Sequence, residues 1–372
     1  MKQNPFIISG YSGSEYFCNR ELETERLISA IKNQRNITLF SLRRMGKTGL
    51  IWHVFHNLRN QKAISPIYVD IMPTLNLSDF TVSIANAILS AFAKKQSLLK
   101  KILTTLASLR PTLTYDPISG NPEISVKVDQ QTDIEHSLES IFHLLASENQ
   151  HFVIALDEFQ QITSYPEKGI EALLRSHIQK LNNVTFIFSG SRKHILTEIF
   201  STPNRPFFNS TEKMEIGIID PDLYKEFIDN HFKRNKMKIL TEALDEIEKC
   251  TCLHTFYVQF LCNRLYGSGQ KRIEKLDVQR MFKQILAENE SIYANYLNIL
   301  THLQFRLLKA LAKDGGYGGI TSKDYLFRHN LGAASSVTTA SKSLFDKEFI
   351  YPENNRYFLT DKFFKGWLAG LD

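Results

Sequence analysis

The chain is expected to fold as an α/β core on a parallel sheet, followed by an all-α lid and a C-terminal winged helix. Three observations carry this expectation. A short apolar segment, Ile37-Thr38-Leu39-Phe40, runs through a tight turn into Gly46-Lys47-Thr48 at a helix start. A continuous apolar run, Phe152-Val153-Ile154-Ala155-Leu156, ends in the carboxylate pair Asp157-Glu158. After Asp220-Pro221 the alternation of strands and helices stops, and the last stretch reads helix, helix, helix, hairpin. Alternating strands and helices argue a parallel sheet with helices on both faces.

In chain order, residues 15–34 read as an amphipathic helix preceded by the aromatic pair Tyr16-Phe17. The strand over residues 37–40 precedes a helix at 48–59, a strand at 66–71 and a long helix from about 77 to 106. The stretch 110–128 holds Asp116-Pro117 and Ser119-Gly120-Asn121-Pro122 between β-like flanks, and reads as a hairpin insertion. A helix at 133–146 leads to apolar strands at 152–158 and 183–191, then a weak fifth strand at 214–218. Residues 222–297 carry only helical periodicity, with helices at 222–233, 241–250 and 256–266. Helices at 303–312, 322–328 and 334–345 precede two short strands around Pro352-Glu353-Asn354-Asn355, the winged helix-turn-helix order. The expected domains are a core at 1–220, a lid at 221–298 and a winged helix at 299–372.

At 372 residues two or three domains are expected. Hydrophobic content of 43% and charged content of 23% are those of an ordinary globular protein. No run approaches the roughly 20 apolar residues of a membrane span. Met1-Lys2-Gln3-Asn4-Pro5 lacks the apolar core of a signal peptide, so a cytoplasmic location is expected. Cys18, Cys250, Cys252 and Cys262 lack zinc-ligand spacing and read as thiols. A net charge of +6 permits nucleic-acid contact without demanding it.

The strand–turn–helix ending in Gly46-Lys47-Thr48 has the layout of a phosphate-binding loop. Backbone N–H groups at a helix start converge on one spot and favour an anion there. Lys47 adds a mobile cation for the terminal phosphates, and the Thr48 hydroxyl is placed to ligate Mg²⁺. The usual loop opens on Gly where this chain has Ser41. The cradle then comprises Ser41, Arg43, Arg44, Met45, Gly46, Lys47, Thr48 and Gly49. Carboxylates at the end of a central parallel strand emerge where open α/β sheets bind ligands. There Asp157 would hold Mg²⁺, directly or through water, and Glu158 would orient and polarise an attacking water. The strand ending in Ser189-Gly190-Ser191 offers a polar residue to a γ-phosphate, with Ser189 preferred over Ser191. Arg192 and Arg205 are candidates for an arginine finger, although surface arginines are abundant enough to favour an ordinary role for both.

The chain resembles the archaeal-type ATPases of the AAA/STAND P-loop superfamily over nearly its full length. The resemblance rests on Tyr16-Phe17-Cys18-Asn19-Arg20-Glu21, Arg43-Arg44-Met45-Gly46-Lys47-Thr48, Leu156-Asp157-Glu158-Phe159-Gln160 and Phe188-Ser189-Gly190-Ser191. It extends to Tyr357-Phe358-Leu359, Phe363-Phe364 and Trp367-Leu368 near the C-terminus. It implies an ATP- and Mg²⁺-dependent switch, with ATP and ADP as ligands, a protein partner and nucleotide-dependent assembly into an oligomer. It also implies that Arg20 lies in the segment lining the adenine pocket. Leu253-His254-Thr255 stands where relatives carry Gly-His-Pro, so only His254 matches.

Three functions remain open on the sequence: an ATP-hydrolysing switch, a nucleotide-gated DNA-binding protein and a non-hydrolysing scaffold. The presence of both Asp157 and Glu158 argues against the scaffold. The recognition helix of the winged domain offers hydroxyls and Lys342, with Lys347, Arg356 and Lys362 nearby. That is little cationic charge for a duplex, whose binding is dominated by phosphate neutralisation.

Overall fold

The computed structural model describes residues 4–59, 63–92, 104, 112–115, 122–125 and 131–371. The chain divides into two compact units, one of residues 13–217 and one of residues 1–12 with 218–372.

The first unit is organised by a parallel sheet. Its strands are β1 (Ile37–Phe40), β2 (Ile64–Asp70), β5 (His151–Asp157), β6 (Val184–Gly190) and β7 (Glu212–Glu215), in the spatial order β2-β5-β6-β1-β7. The intervening β3 (Thr112–Tyr115) and β4 (Pro122–Ser125) pair antiparallel as a separate hairpin, the expected insertion. Residues 126–128 of its expected flank lie outside the described residues. Parallel register aligns the strand ends: Phe40 pairs Gly190, and Asp70 pairs Asp157. β6 therefore separates the strand of the Gly-Lys-Thr loop from that of the carboxylate pair.

Period-two alternation splits the core between the faces of the sheet. Phe152, Ile154 and Leu156 of β5 and Phe186 and Phe188 of β6 pack on one side, with apolar residues of helices Leu77–Phe92, Gln131–Ser147, Ile170–Ile178 and Lys193–Ser201. Val153, Ala155 and Ile187 face the other side, with Leu27 and Ile31 of helix Glu21–Lys32 and Leu50, Val54 and Leu58 of helix Lys47–Leu58. Both central strands thus have two covered faces, which explains their unbroken apolar sequence.

Two departures from the sequence expectations have local causes. The expected helix at 15–34 is a 3₁₀ turn, Ser14–Tyr16, followed by a helix that starts only at Glu21. Asn19 and Arg20, with φ of 51° and 86°, break the run, since left-handed backbone cannot continue a right-handed helix. The helix beginning at Leu77 is described to Phe92, and the rest of its expected length lies outside the described residues except for Thr104.

The second unit is helical through Pro221–Arg234, Thr241–Thr251, Thr255–Gly267, Lys275–Glu288 and Glu290–Ile299. Asp220 caps the first of these, accepting hydrogen bonds from the N–H groups of Asp222 and Leu223, with proline at the helix start. The stretch is not purely helical: β8 (Lys238–Ile239) and β9 (Arg272–Ile273) form a short parallel pair. At two residues each, they are too short to leave a period-two pattern. The N-terminal segment also belongs here rather than with the core. Phe6 is fully buried within 5.5–6.4 Å of the rings of Phe227, His231, Phe232 and Tyr266.

Helices His302–Lys313, Lys323–Arg328 and Ala334–Asp346 precede the antiparallel hairpin β10 (Ile350–Glu353) and β11 (Arg356–Leu359), then helix Lys362–Ala369. This is the winged-helix order. Asn354 and Asn355, at φ of 48° and 60°, make the two-residue turn, a conformation asparagine tolerates and hairpin twist favours. The cations near the recognition helix differ in placement: Lys342, Lys347 and Arg356 are exposed, whereas Lys362 is buried. Lys347 Nζ donates to the Ile299 carbonyl at 2.9 Å, and the Arg356 guanidinium donates to the Gly316 carbonyl at 2.7 Å. Lys362 is buried, and desolvation pulls its ammonium down to about 8. The hydroxyls of Thr338 and Thr339 donate to carbonyls one turn back in their own helix.

Candidate nucleotide site

The loop between β1 and helix Lys47–Leu58 takes its left-handed turns at Arg44, φ 62°, and Gly46, φ 94°. Ser41 has no positive φ, so the position usually held by glycine does not need one here. Its side chain is buried, donates to the Leu42 carbonyl at 2.7 Å and accepts from Lys47 Nζ at 3.2 Å. Met45 is buried and anchors the loop, whereas Arg43 and Arg44 are exposed. Gly46 caps the helix with no side-chain hydrogen bond to its first N–H groups, leaving that end open to an anion. Gly49, on the first turn, leaves room for Phe17, whose Cε2 would lie 3.5 Å from an added Cβ.

Lys47 is 5% exposed. Burial pushes its ammonium below the ordinary lysine value, the carboxylates of Glu158 and Asp157 oppose that shift, and Arg43 adds to it. A buried cation of this kind gains from a counter-charge supplied by a ligand. Asp157, 3% exposed, accepts from Thr48 Oγ1 at 2.7 Å and from the Tyr68 hydroxyl at 2.8 Å, both on Oδ2. Its Oδ1 accepts from the Glu158 N–H at 3.1 Å. Burial and the Asp157 charge push the Tyr68 phenol well above its ordinary range.

Glu158 turns out of the strand with φ 57°, and the fully buried Phe159 pins that turn through rings at 4.6 Å from Phe188 and 5.8 Å from Phe200. One carboxylate oxygen, Oε2, accepts from Ser191 Oγ at 2.8 Å, from the Ser191 N–H at 3.3 Å and from Gln160 Nε2. Ser189, from β6, is fully buried, and its Oγ has no hydrogen-bond partner among the described residues. A buried hydroxyl left unsatisfied calls for an account, and a polar ligand group is one. Lys47, Thr48, Asp157, Glu158 and Ser189 are thus all brought to the C-terminal edge of one sheet.

Gly190 lies behind this cluster. A Cβ there would sit 2.0 Å from Gln160 Oε1 and 2.8 Å from Leu196 Cδ1. Gly190→Ala is expected to displace Gln160 from Glu158 and cost about 1–3 kcal/mol of core-unit stability. Denaturant titration of both proteins measures it, and an unchanged midpoint would refute the clash.

The other residues singled out in the sequence have defined places. Arg20 is buried, donating to Glu23 at 2.8 Å and to the Gly217 carbonyl at 2.7 Å. Arg192 is exposed just before helix Lys193–Ser201. Arg205 pairs with Glu171 and with Glu198, the latter at 3.3 Å. His254, in the helical unit, is buried at the start of helix Thr255–Gly267 with its ring 4.9 Å from that of Tyr257. Sequence reasoning missed Tyr68 and Gln160 as members of the cluster. Gln160 stood in the Asp-Glu-Phe-Gln motif, but nothing local marked Tyr68.

A family described as an ATPase domain predominantly from Archaea matches residues 17–253, and one described as a probable winged helix domain matches residues 291–370. No curated protein matches the sequence significantly. Among solved structures, the chain is similar to the Walker-type ATPase PABY2304 of Pyrococcus abyssi, at 17% identity and TM-score 0.68, covering 98% of this chain and 99% of that one. It is similar to the ORC2 protein of Aeropyrum pernix in ADPNP–ADP complexes, at 15% identity and TM-score 0.59, covering 99% and 96%. It is also similar to the ORC1 protein of Aeropyrum pernix in complex with DNA, at 15% identity and TM-score 0.50, covering 95% and 92%. At such identities these likenesses concern the fold. Among the described residues no helix is long and apolar enough to cross a membrane. The phosphate-binding loop, the carboxylate strand and the family match over most of the chain converge: the protein belongs to the family of ATPase domains found predominantly in Archaea and carries a C-terminal winged-helix domain.

Proposed function

We propose that this protein is a Mg²⁺-dependent ATPase of the STAND switch type, whose nucleotide state sets its conformation and its hold on a protein partner. The carrying observation is the Thr48–Asp157 hydrogen bond of 2.7 Å beside the buried Lys47. In this reading the helix start at Gly46 and Lys47 bind the β- and γ-phosphates. Thr48 and Asp157 would hold Mg²⁺, which when bound would supply charge neutralisation for the phosphates. Ser189 donates its unsatisfied hydroxyl to the γ-phosphate, and Glu158 orients and polarises the attacking water through its second carboxylate oxygen. Catalysis is then mostly positioning and electrostatic stabilisation. The division into a core to residue 220, a lid to 298 and a winged helix beyond is part of the same proposal.

Nucleotide-gated DNA binding is the second reading, favoured by the winged helix and the fold likeness to the DNA-bound ORC1 protein. The modest cationic charge beside the recognition helix weighs against it: Lys342, Lys347 and Arg356 are exposed but Lys362 is buried, and phosphate neutralisation dominates duplex binding. ATP turnover is expected with Mg²⁺, to disappear with EDTA and to be unchanged by duplex DNA, as read by phosphate release. Turnover that persists in EDTA would refute the Mg²⁺ dependence, and no turnover with Mg²⁺ would refute the ATPase reading. Salt-sensitive duplex binding that vanishes on removing residues 300–372 would establish the second.

A further inference from the structure

We propose that Tyr68 is a positioning residue that sets how Asp157 meets the metal, and so makes the site selective for Mg²⁺ over Ca²⁺. The inference rests on the reading of this sheet edge as a metal–triphosphate site.

An ionised carboxylate has about four lone-pair positions, two on each oxygen. Among the described residues, three of those on Asp157 are filled. Thr48 Oγ1 and the Tyr68 hydroxyl both donate to Oδ2, at 2.7 and 2.8 Å, and the Glu158 N–H donates to Oδ1 at 3.1 Å. Oδ2 is then saturated, and a single acceptor position remains on Oδ1. Thr48 comes from the helix that follows the phosphate loop, and Glu158 is the next residue in the chain. Tyr68 comes from a different strand and is the contact that closes the set.

Its placement is built into the fold. Tyr68 lies in β2 opposite Ala155, two residues before the Asp70–Asp157 pair. It packs against the same core layer as helix Lys47–Leu58, and its ring lies 5.0 Å from that of Trp52 on that helix. The ring is thus held independently of the hydroxyl.

One free acceptor position permits a single contact, to an ion or to one of its waters. It forbids bidentate chelation. Mg²⁺ demands near-octahedral geometry and keeps several waters, so a monodentate, water-bridged carboxylate suits it. Ca²⁺ takes more ligands and readily accepts a bidentate carboxylate. Removing the Tyr68 hydroxyl frees one position on Oδ2 and lets Asp157 turn both oxygens toward a larger ion.

The test measures Mg²⁺ and Ca²⁺ affinity of the full chain loaded with a non-hydrolysable ATP analogue, by calorimetry, in wild type, Tyr68→Phe and Tyr68→Leu. Analogue binding in EDTA reports an intact fold. The expected result is that both variants lose about tenfold of the Mg²⁺-over-Ca²⁺ preference while metal-free analogue binding is unchanged. Introducing 3-fluorotyrosine at position 68, which keeps the hydroxyl, should restore the preference. A purely structural role would weaken both metals equally. Equal weakening, or wild-type selectivity in both variants, overturns the proposal. If the analogue-loaded wild type takes up neither Mg²⁺ nor Ca²⁺, the reading of the site itself fails, which is a different result.

Discussion

Lys47→Ala is expected to abolish ATP binding without unfolding the protein. The ammonium sits in the protein interior, where burial disfavours its charge and two carboxylates compensate in part. A triphosphate arriving at the Gly46 helix start would complete that compensation. Truncating one partner of a buried, hydrogen-bonded charge pair costs about 2–5 kcal/mol, so Kd should rise at least about thirtyfold. Stability should respond differently. Alanine removes a desolvated charge along with its packing, and these effects oppose each other. The unliganded variant should therefore unfold within about 1–2 kcal/mol of wild type. Calorimetric titration with ATP and denaturant unfolding together check this. Wild-type ATP affinity in the variant would remove Lys47 from the site.

Glu158→Gln should separate binding from chemistry. The oxygen that accepts from Ser191 and Gln160 can be kept by the glutamine carbonyl, so the side chain stays in place. What is lost is the charge that polarises water. General-base contributions are typically about 10²–10⁴-fold, and turnover should fall by that factor while ATP affinity is preserved. Steady-state phosphate release and nucleotide affinity on the same preparations test it. Equal turnover in wild type and variant would exclude Glu158 as the base.

The elements that make this site were legible where they are contiguous in sequence. Strand, turn and Gly46-Lys47-Thr48 follow one another directly, and so do the apolar strand β5 and its two carboxylates. Burial on both sheet faces makes β5 and β6 continuously apolar, so their central position also showed. What did not show depends on register and on backbone sign. Tyr68 reaches Asp157 only because β2 lies beside β5 with Asp70 opposite Asp157. Gln160 reaches Glu158 only because Glu158 adopts φ 57°. The placement of Phe6 among lid rings is a contact across more than 200 residues, beyond any local pattern. The winged domain was legible as an order of elements, but its surface was not. Lys347, Arg356 and Lys362 look alike in sequence, yet the first two are exposed and donate to backbone carbonyls while Lys362 is buried.

The most direct test counts ATP bound and phosphate released per chain in wild type, Lys47→Ala and Glu158→Gln, side by side with Mg²⁺. Wild type should bind one ATP and hydrolyse it, Lys47→Ala should bind none, and Glu158→Gln should bind one and keep it intact. ATP held equally well without Lys47, or cleaved equally fast without the Glu158 carboxylate, would contradict a single site built from both motifs.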